Sequence, residues 1–586
     1  MSAAPAGPPP GLTVTIGQHS TAGRKAANQD FHGALVPPQP GLGLKGVAVA
    51  LADGISSSAA GAAASETAVK SFLSDYYATP DTWSVKNAAR QVIAAANSWL
   101  YAQTRRGSDP NNADRGHVTT FDALILKGRS AHLFHVGDGR IARVAGRSLE
   151  QLTEDHRVVV SATESYLGRA LGAGGFVEID YLRVDVACGD VFVLTTDGIH
   201  EHVRPRDIAA AIAGAGDLDA AARTIVAAAF AAGSPDNLTV QIVRIESLPE
   251  GEPTDLYGEA EGLEPAPLLD PPAELDGYRL LRTLHSGPRS RVYLAADLEM
   301  GTQVALKVLS LDLRDDPAQR RRFVMEEWIA RRIDNPHVLK AHPQTRPRSR
   351  LYTVMRYVAG QTLTQWMRDH AAPELEAVRG LVEQIARGVQ AFHRREMVHQ
   401  DLRPDNVLID AAGTVQIIDF GATKVAGVVE GDPRIDPAEI LGTVQFTAPE
   451  CFLGEPATAA SDVFSVGVMA YQMLTGRLPY GDAAPRARTR AAQRKLRYMS
   501  ALTVRPLLPR WIDGALRRAV HPDPLRRYQT VSEFVHDLRH PNPAFTDTRR
   551  AALLERDPLL FWRMLSLVLF LVAATLAAIL IVQKTR

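Results

Sequence analysis

A chain of 586 residues exceeds the length of one ordinary domain, about 100–200 residues. Hydrophobic residues at 46% exclude wholesale disorder and a fibre, and 65 Lys and Arg balance 65 Asp and Glu with no basic cluster to serve nucleic acid. With only Cys188 and Cys451, a disulfide framework and a cysteine-rich zinc site are excluded, and a reducing, cytosolic setting fits. Residues 1–12 (MSAAPAGPPPGL) lack a basic start and an apolar core, and read as a flexible leader rather than a secretory signal. Over residues 13–246, β-type runs (TVTIG, GVAVALAD, TTFDALIL, AHLFHV, VFVLTTD, TVQIVRI) alternate with Ala-rich helical blocks near 60–74, 87–104 and 207–232. Residues 247–276 are rich in proline and acid, contain no Lys or Arg, and predict an extended linker. A second globular region covers 277–540, strands first and helices later, followed by a juxtamembrane tether over 541–563. Met564–Val582 (MLSLVLFLVAATLAAILIV) has neither charge nor proline. Its ~19 residues span about 28 Å as a helix, close to a bilayer core, which predicts a C-terminal transmembrane helix with a short tail, 583–586.

Several aspartates in the first region fall where a β-type run meets a Gly-containing turn. Asp53 precedes Gly54, Asp138 follows AHLFHVG, Asp197 follows DVFVLTT, and Asp236 precedes LTVQIV. Strand ends at one edge of a sheet can gather carboxylates that are distant in sequence. Such a cluster repels itself unless cations neutralise it, and hard oxygen ligands favour Mg²⁺ or Mn²⁺. Two such ions about 3.5–4 Å apart generate a hydroxide and stabilise a displaced phosphate oxygen. The series NQD, ADG, TTFDALIL, VGDGR, LTEDH, LGRALG, LTTDGIHEHV and SPDNLTV resembles, in order, the metal-dependent Ser/Thr protein phosphatases of type 2C. The resemblance implies an α-β-β-α sandwich with a binuclear Mn²⁺/Mg²⁺ centre at one end. It implies metal ligation by Asp53, Asp197 and Asp236, by the Gly54 carbonyl, and by Asp30 directly or through water, with Asp138 supporting a third metal. Gln29 stands where the family usually has Glu, and Lys25, beside Arg24, stands at its phosphate-orienting arginine. Lysine attracts phosphate but lacks arginine's bidentate fork.

In residues 277–540, TQVALKVL sets Lys307 on a strand, and Glu326 in the helical run RFVMEEWIARRI is the residue best placed to pair with it. HQDLRPDN gives Asp401 and Asn406 at the spacing of a catalytic loop, and IIDFG puts Asp419 after an apolar strand. Together they supply a lysine for nucleotide phosphates, Asn406 and Asp419 for Mg²⁺, and Asp401 to accept a hydroxyl proton, so ATP is the expected phosphoryl donor. These fragments, with GTVQFTAPE, SDVFSVGVMAYQMLTGRLPY and HPDPLRRY, are similar to the eukaryotic-like protein kinases, a bilobal α+β fold. The resemblance implies an ion pair between Glu450 and Arg527, and Asp462 bracing the catalytic loop. DLRPDN is closer to Ser/Thr than to tyrosine kinases, with Arg403 at the position of a phosphate-contacting lysine. Of the glycine-rich loop, LHSGPRSRVYLA keeps Gly287, with His285 and Ser290 at flanking glycine positions and Arg289 close by to add charge. Gln400 replaces the arginine that reads activation-loop phosphate, so activity is expected not to need loop phosphorylation.

His135 reads as a packed histidine, His156 as a turn residue, and His399 as holding the catalytic loop by packing and hydrogen bonding. The cysteines lack a basic context for nucleophilic work, and the Arg-rich stretch 486–497 reads as a solvated face. The chain as a whole reads as a bacterial bifunctional enzyme in the inner membrane, single-pass, with both catalytic domains facing the cytosol. Protein Ser/Thr and phospho-Ser/Thr groups are its expected substrates, and autophosphorylation and autodephosphorylation are expected with them. Two other readings stand beside it: a kinase gated by a silent phosphatase-like sensor, and a non-catalytic membrane scaffold.

Overall fold

The computed structural model describes residues 11–106, 116–159, 165–249, 263–287, 289–310, 313–314, 316–428, 444–546 and 558–584. The N-terminal domain runs β1 (Thr13–Thr21), β2 (Asp30–Leu35), α1 (Gly41–Lys45), β3 (Val47–Asp53), α2 (Gly61–Ala78), α3 (Val85–Arg106), β4 (Phe121–Lys127) and β5 (Ser130–Val136). It continues through β6 (Arg140–Ala145), β7 (Ser148–Gln151), β8 (Arg157–Val159), β9 (Ser165–Leu167), β10 (Asp180–Asp185), β11 (Val191–Thr195), α4 (Asp197–His200), α5 (Pro205–Gly214), α6 (Leu218–Ala231) and β12 (Leu238–Ser247). Two antiparallel five-stranded sheets result, ordered β1-β12-β11-β6-β7 and β10-β5-β4-β3-β2.

The layering follows from central strands that are apolar on both faces. Side chains alternate across a strand, so Ala48, Ala50, Phe121 and Ile125 of β3 and β4 pack on Val69, Phe72 and Ile93 of the helices α2 and α3. Their neighbours Val49, Leu51, Leu124 and Leu126 pack instead on Phe192, Leu194 and Val243 of the opposite sheet. The outer face of that sheet, with Val193 and Ile242, lies under Ile208, Ile212 and Ile225 of α5 and α6. Helix, sheet, sheet and helix therefore stack in the expected α-β-β-α order. Helix α2 starts beside the β2 end of the sandwich, where Ser65 Oγ donates to the Gln29 carbonyl at 2.5 Å, and its far end leads into residues 79–84.

The C-terminal domain opens with β13 (Ala273–Leu275), β14 (Tyr278–Ser286), β15 (Ser290–Asp297), β16 (Gln303–Leu309), α7 (Pro317–Arg332) and β17 (Thr353–Arg356). It proceeds through β18 (Gly360–Thr362), α8 (Leu363–Asp369), α9 (Leu375–His393), β19 (Met397–Val398), β20 (Val407–Asp410), β21 (Val415–Ile417), β22 (Lys424–Val425) and α10 (Ala459–Thr475). Strands β13 to β17 form one sheet in sequence order, with Tyr293, Val304, Leu306 and Val354 beneath it. The large lobe is built around α9 and α10, and α10 is buried on every side. This is the expected bilobal α+β arrangement.

One expectation differs from what is seen. Of the predicted linker, residues 263–276 pack onto the small lobe: Ala266 is fully buried and bonded to Leu351, and Ala273–Leu275 adds an edge strand to β14. The apolar residues Leu263, Ala266, Leu268 and Leu269 draw this half inward. At the other end, Pro558–Lys584 is one continuous helix, and Leu567–Val572 lie exposed on it. Among the described residues, no helix is long and apolar enough to cross a membrane.

Candidate active sites

Antiparallel pairing brings the aspartates together at one end of the sandwich. Asp30, at the start of β2, is the register partner of Asp53, at the end of β3. Asp138 sits between β5 and β6, Asp197 opens α4 just after β11, and Asp236 lies just before β12. Thr196 and Thr239 hydroxyls donate to Asp30 Oδ2 at 3.0 and 2.7 Å, while the buried Asp30 Oδ1 and Asp197 Oδ1 have no hydrogen-bond partner among the described residues. Burial, then repulsion from Asp138, Asp236 and Glu201, pushes Asp197 up to about 7. Burial likewise raises Asp30 to about 6, and burial with repulsion from Asp30, Asp197, Asp138 and Asp236 holds Asp53 well above the carboxylate range. These are carboxylates forced together without enough positive charge.

Cationic side chains supply part of that charge. Arg157, on β8, reaches Asp138 at 2.8 Å and Asp197 at 3.0 Å, and also pairs with Glu201. Lys25 Nζ lies 3.1 Å from Asp236 and donates to Ser56 Oγ at 2.9 Å. Arg24 turns away, bonding the carbonyls of Phe230 and Ser234. Gln29 spends its amide on the Ser58 carbonyl at 2.8 Å, and Gly54 donates its N–H to the Gln29 carbonyl at 3.1 Å. Beneath the cluster, His135 is buried between Asp122 (2.7 Å) and the Glu154 carbonyl (2.8 Å), which leaves neither ring nitrogen for a metal. Gly139 passes so close that a Cβ there would fall 1.9 Å from Asp122 Oδ2. His156 accepts from the Gly137 N–H and bonds Asp180, so it too is structural.

The second site lies between the lobes of the C-terminal domain. Lys307 Nζ on β16 is 2.6 Å from Glu326 of α7 and 3.4 Å from Asp419. Burial disfavours the lysine charge, but Asp419 and Glu326 outweigh it and raise the Lys307 pKa, while Lys307 holds Asp419 below the usual carboxylate range. Asn406 Nδ2 donates to the Asp401 carbonyl at 2.8 Å and to its carboxylate at 3.1 Å. Burial, opposed by Arg403, pushes Asp401 up to about 6. Lys307, Asp401, Asp419, Arg289 and Ser290 line one cleft; Gly287, just after β14, is not among its lining residues and donates its N–H to the Ser290 carbonyl at 3.0 Å. Asp462 accepts from His393 Nε2 and from the N–H groups of His399 and Gln400, so the catalytic-loop backbone is held from below.

Residues 18–229 match Protein phosphatase 2C, and residues 278–544 match the Protein kinase domain. The chain fuses a type 2C phosphatase domain to a Ser/Thr protein kinase domain.

Among curated relatives, the Ser/Thr-protein kinase PrkC of Bacillus subtilis is 29% identical over 263 residues, 45% of this chain and 40% of its own length. PknA of Corynebacterium glutamicum is 36% identical over 214 residues, 35% and 45% of the two chains. The chain thus spans less than half the length of these relatives. Among solved structures, the Mycobacterium tuberculosis phosphatase PstP/Ppp is 23% identical, covering 40% of this chain and 100% of its own at a TM-score of 0.35. The PknI kinase domain of the same organism is 26% identical, covering 47% and 99% at 0.36.

In the phosphatase domain the donor set suits a divalent cation, since hard carboxylate oxygens converge and two of them are orphaned. Among the described residues, however, no group of three or more His, Cys, Asp or Glu side chains is already disposed to hold a metal ion. Arg157 accounts for part of this by drawing Asp138 and Asp197 to itself. Nothing in the local sequence singles out Arg157, Glu201, Thr196 or Thr239 as site residues, although Arg157 directly follows the LTEDH fragment. In the kinase domain, His399 packs between Phe392 and Phe420, but its ring nitrogens have no partner among the described residues. Its ring holds the loop by packing, and the hydrogen bond comes from its backbone N–H to Asp462 rather than from a ring nitrogen. Cys451 is buried with its thiol pushed up to about 12, which suits a structural residue.

Proposed function

We propose that the chain is a membrane-anchored bifunctional enzyme. Its kinase domain phosphorylates protein Ser/Thr with ATP, and its phosphatase domain hydrolyses phosphoprotein with Mg²⁺ or Mn²⁺. The observation that carries this reading is that one chain brings Lys307, Glu326, Asp401 and Asp419 to one cleft and gathers Asp30, Asp53, Asp138 and Asp197 at one end of the sandwich. In the kinase domain, Glu326 holds Lys307 where nucleotide phosphates bind, and Asp401 accepts the substrate hydroxyl proton while Asn406 orients it. Asn406 and Asp419 would hold Mg²⁺ there. In the phosphatase domain, Asp30, Asp53, Asp197 and Asp236 would hold the ions, with Asp138 and the Gly54 carbonyl as further donors. Bound divalent cations supply Lewis acidity and an activated water nucleophile. Lys25, at the rim, attracts the incoming phosphate.

Intact mass tests the pair of activities. The full chain in detergent is incubated with ATP, Mg²⁺ and Mn²⁺ as wild type, Asp197→Asn, and Asp197→Asn with Asp401→Asn. Phosphate accumulating in the single variant alone is the expected result. A second reading, a kinase gated by a silent phosphatase-like sensor, is favoured by the Arg157 bridge between Asp138 and Asp197. Manganese-dependent hydrolysis of p-nitrophenyl phosphate that disappears in Asp197→Asn excludes it.

The anchor reading is supported by the continuous helix Pro558–Lys584 and its uncharged run Met564–Val582. The full chain is expected to stay with membranes through alkaline carbonate washing, and a chain ending at residue 557 to be released. Equal release of both sinks the anchor.

A further inference from the structure

The segment between α2 and α3, residues 79–84 (TPDTWS), lies against the kinase domain. Trp83 Nε1 donates to the Arg394 carbonyl at 3.1 Å, and Ser84 donates to Glu396 Oε2 from its N–H (2.7 Å) and its hydroxyl (3.0 Å). The Gly427 N–H donates to the Thr82 carbonyl at 2.8 Å, and Lys127 Nζ donates to the Gly427 carbonyl at 2.5 Å. Asp81 faces Arg332 at 3.3 Å, whose guanidinium stacks 3.7 Å over Trp328. Thr82 and Lys127 are buried, and Leu44 of α1 is buried with the kinase core. Burying an ammonium group demands a firm partner, and here the other domain provides it.

The kinase residues touched are not a random patch. Arg332 ends α7, the helix that presents Glu326 to Lys307. Arg394 and Glu396 form the turn that leads through β19 to the catalytic loop, and Glu396 takes a left-handed φ of 53°. The Glu396 carbonyl also accepts from Ala426, beside β22, so one residue joins the phosphatase loop to the start of the activation segment. Gly427 fits only as glycine, because a Cβ there would fall 2.5 Å from the Asp81 carbonyl oxygen and 2.6 Å from that of Trp83.

We infer that the phosphatase domain is a docking partner of its own kinase domain, and that loop 79–84 supports the kinase by fixing the end of α7, the turn before the catalytic loop and the start of the activation segment together. The support half of the inference rests on the kinase reading above; the docking half does not. The joint between the domains raises their effective concentration to about the millimolar range, so modest contacts suffice to keep them docked.

Two readouts on the full chain in detergent test it, with Trp83→Ala, the charge reversal Asp81→Arg, and Gly427→Val approaching the contact from both sides. Amide hydrogen exchange over residues 424–428 reads docking whether or not the kinase turns over. Initial phosphoryl transfer to casein reads support, and a thermal melt of each variant shows that both domains remain folded. Exchange over 424–428 is expected to quicken at least about tenfold and transfer to fall at least about fivefold. Unchanged exchange in all three variants overturns the docking. Faster exchange with undiminished transfer overturns the support, and a wild type without transfer, exchange being protected, counts against the kinase reading and the support but not the docking.

Discussion

Substituting Asp401→Asn is expected to lower phosphoryl transfer about 10²–10⁴-fold, the usual contribution of a positioned general base. The replacement is nearly isosteric, and the Asp401 carbonyl keeps its bond from Asn406, so the loop should hold its shape. What is lost is the acceptor for the hydroxyl proton. The environment sharpens the expectation, because burial lifts Asp401 to about 6. A carboxylate with a raised pKa is protonated below that value and cannot accept a proton. In the free enzyme the acid limb of kcat/KM should therefore fall near pH 6 rather than near 4, and the variant should lose this limb. Initial rates across pH 4.5–8 check both statements, and a variant within about tenfold of wild type would remove Asp401 from its role.

Removing one partner of the Glu450–Arg527 pair is expected to destabilise the kinase domain by about 3–5 kcal/mol. Arg527 is fully buried, bonds Glu450 at 2.6 and 2.8 Å, and donates further to the carbonyls of His521, Ala460 and Pro522. Glu450 also accepts from Ser461 at 2.7 Å. Cutting Arg527 to Ala strands a buried carboxylate, and Glu450→Ala strands a buried guanidinium. At about 2–4 °C per kcal/mol for a domain of this size, either single variant should melt roughly 6–20 °C lower. Replacing both by apolar residues, Glu450→Leu with Arg527→Met, should recover much of the loss, since no charge is then left alone. A double variant no better than the singles would mean that packing, not charge, dominates here.

The elements that carry chemistry were legible because each sits at the end of a run with a clear period. GVAVALAD and DVFVLTTD announce strands that end in aspartate or just before it, and antiparallel pairing does the rest by setting Asp30 opposite Asp53. The kinase fragments are similarly local, from Lys307 on its strand to Asp401 and Asn406 within one loop. What the sequence hid are partnerships across long separations. Arg157 meets Asp197 forty residues on, and Thr239 meets Asp30 across 209 residues, with nothing local to mark either pairing. The docking loop is hidden more deeply still, since Trp83 finds Arg394 311 residues away. The extent of the linker is hard to read for the opposite reason, because its prolines and acids dominate the composition while a few leucines decide where residues 263–276 go.

One polypeptide holds both catalytic centres, so their stoichiometry is one to one in every cell. On the proposed activities, consider a substrate shared by both centres and saturating neither. Its steady-state phosphorylated fraction is the kinase rate constant divided by the sum of the kinase and phosphatase rate constants. Copy number cancels from that ratio. Gene dosage then changes how quickly the steady state is reached but not where it lies. The set point moves only with whatever alters one rate against the other, such as nucleotide supply, divalent cation level, or the closeness of the two domains at Gly427.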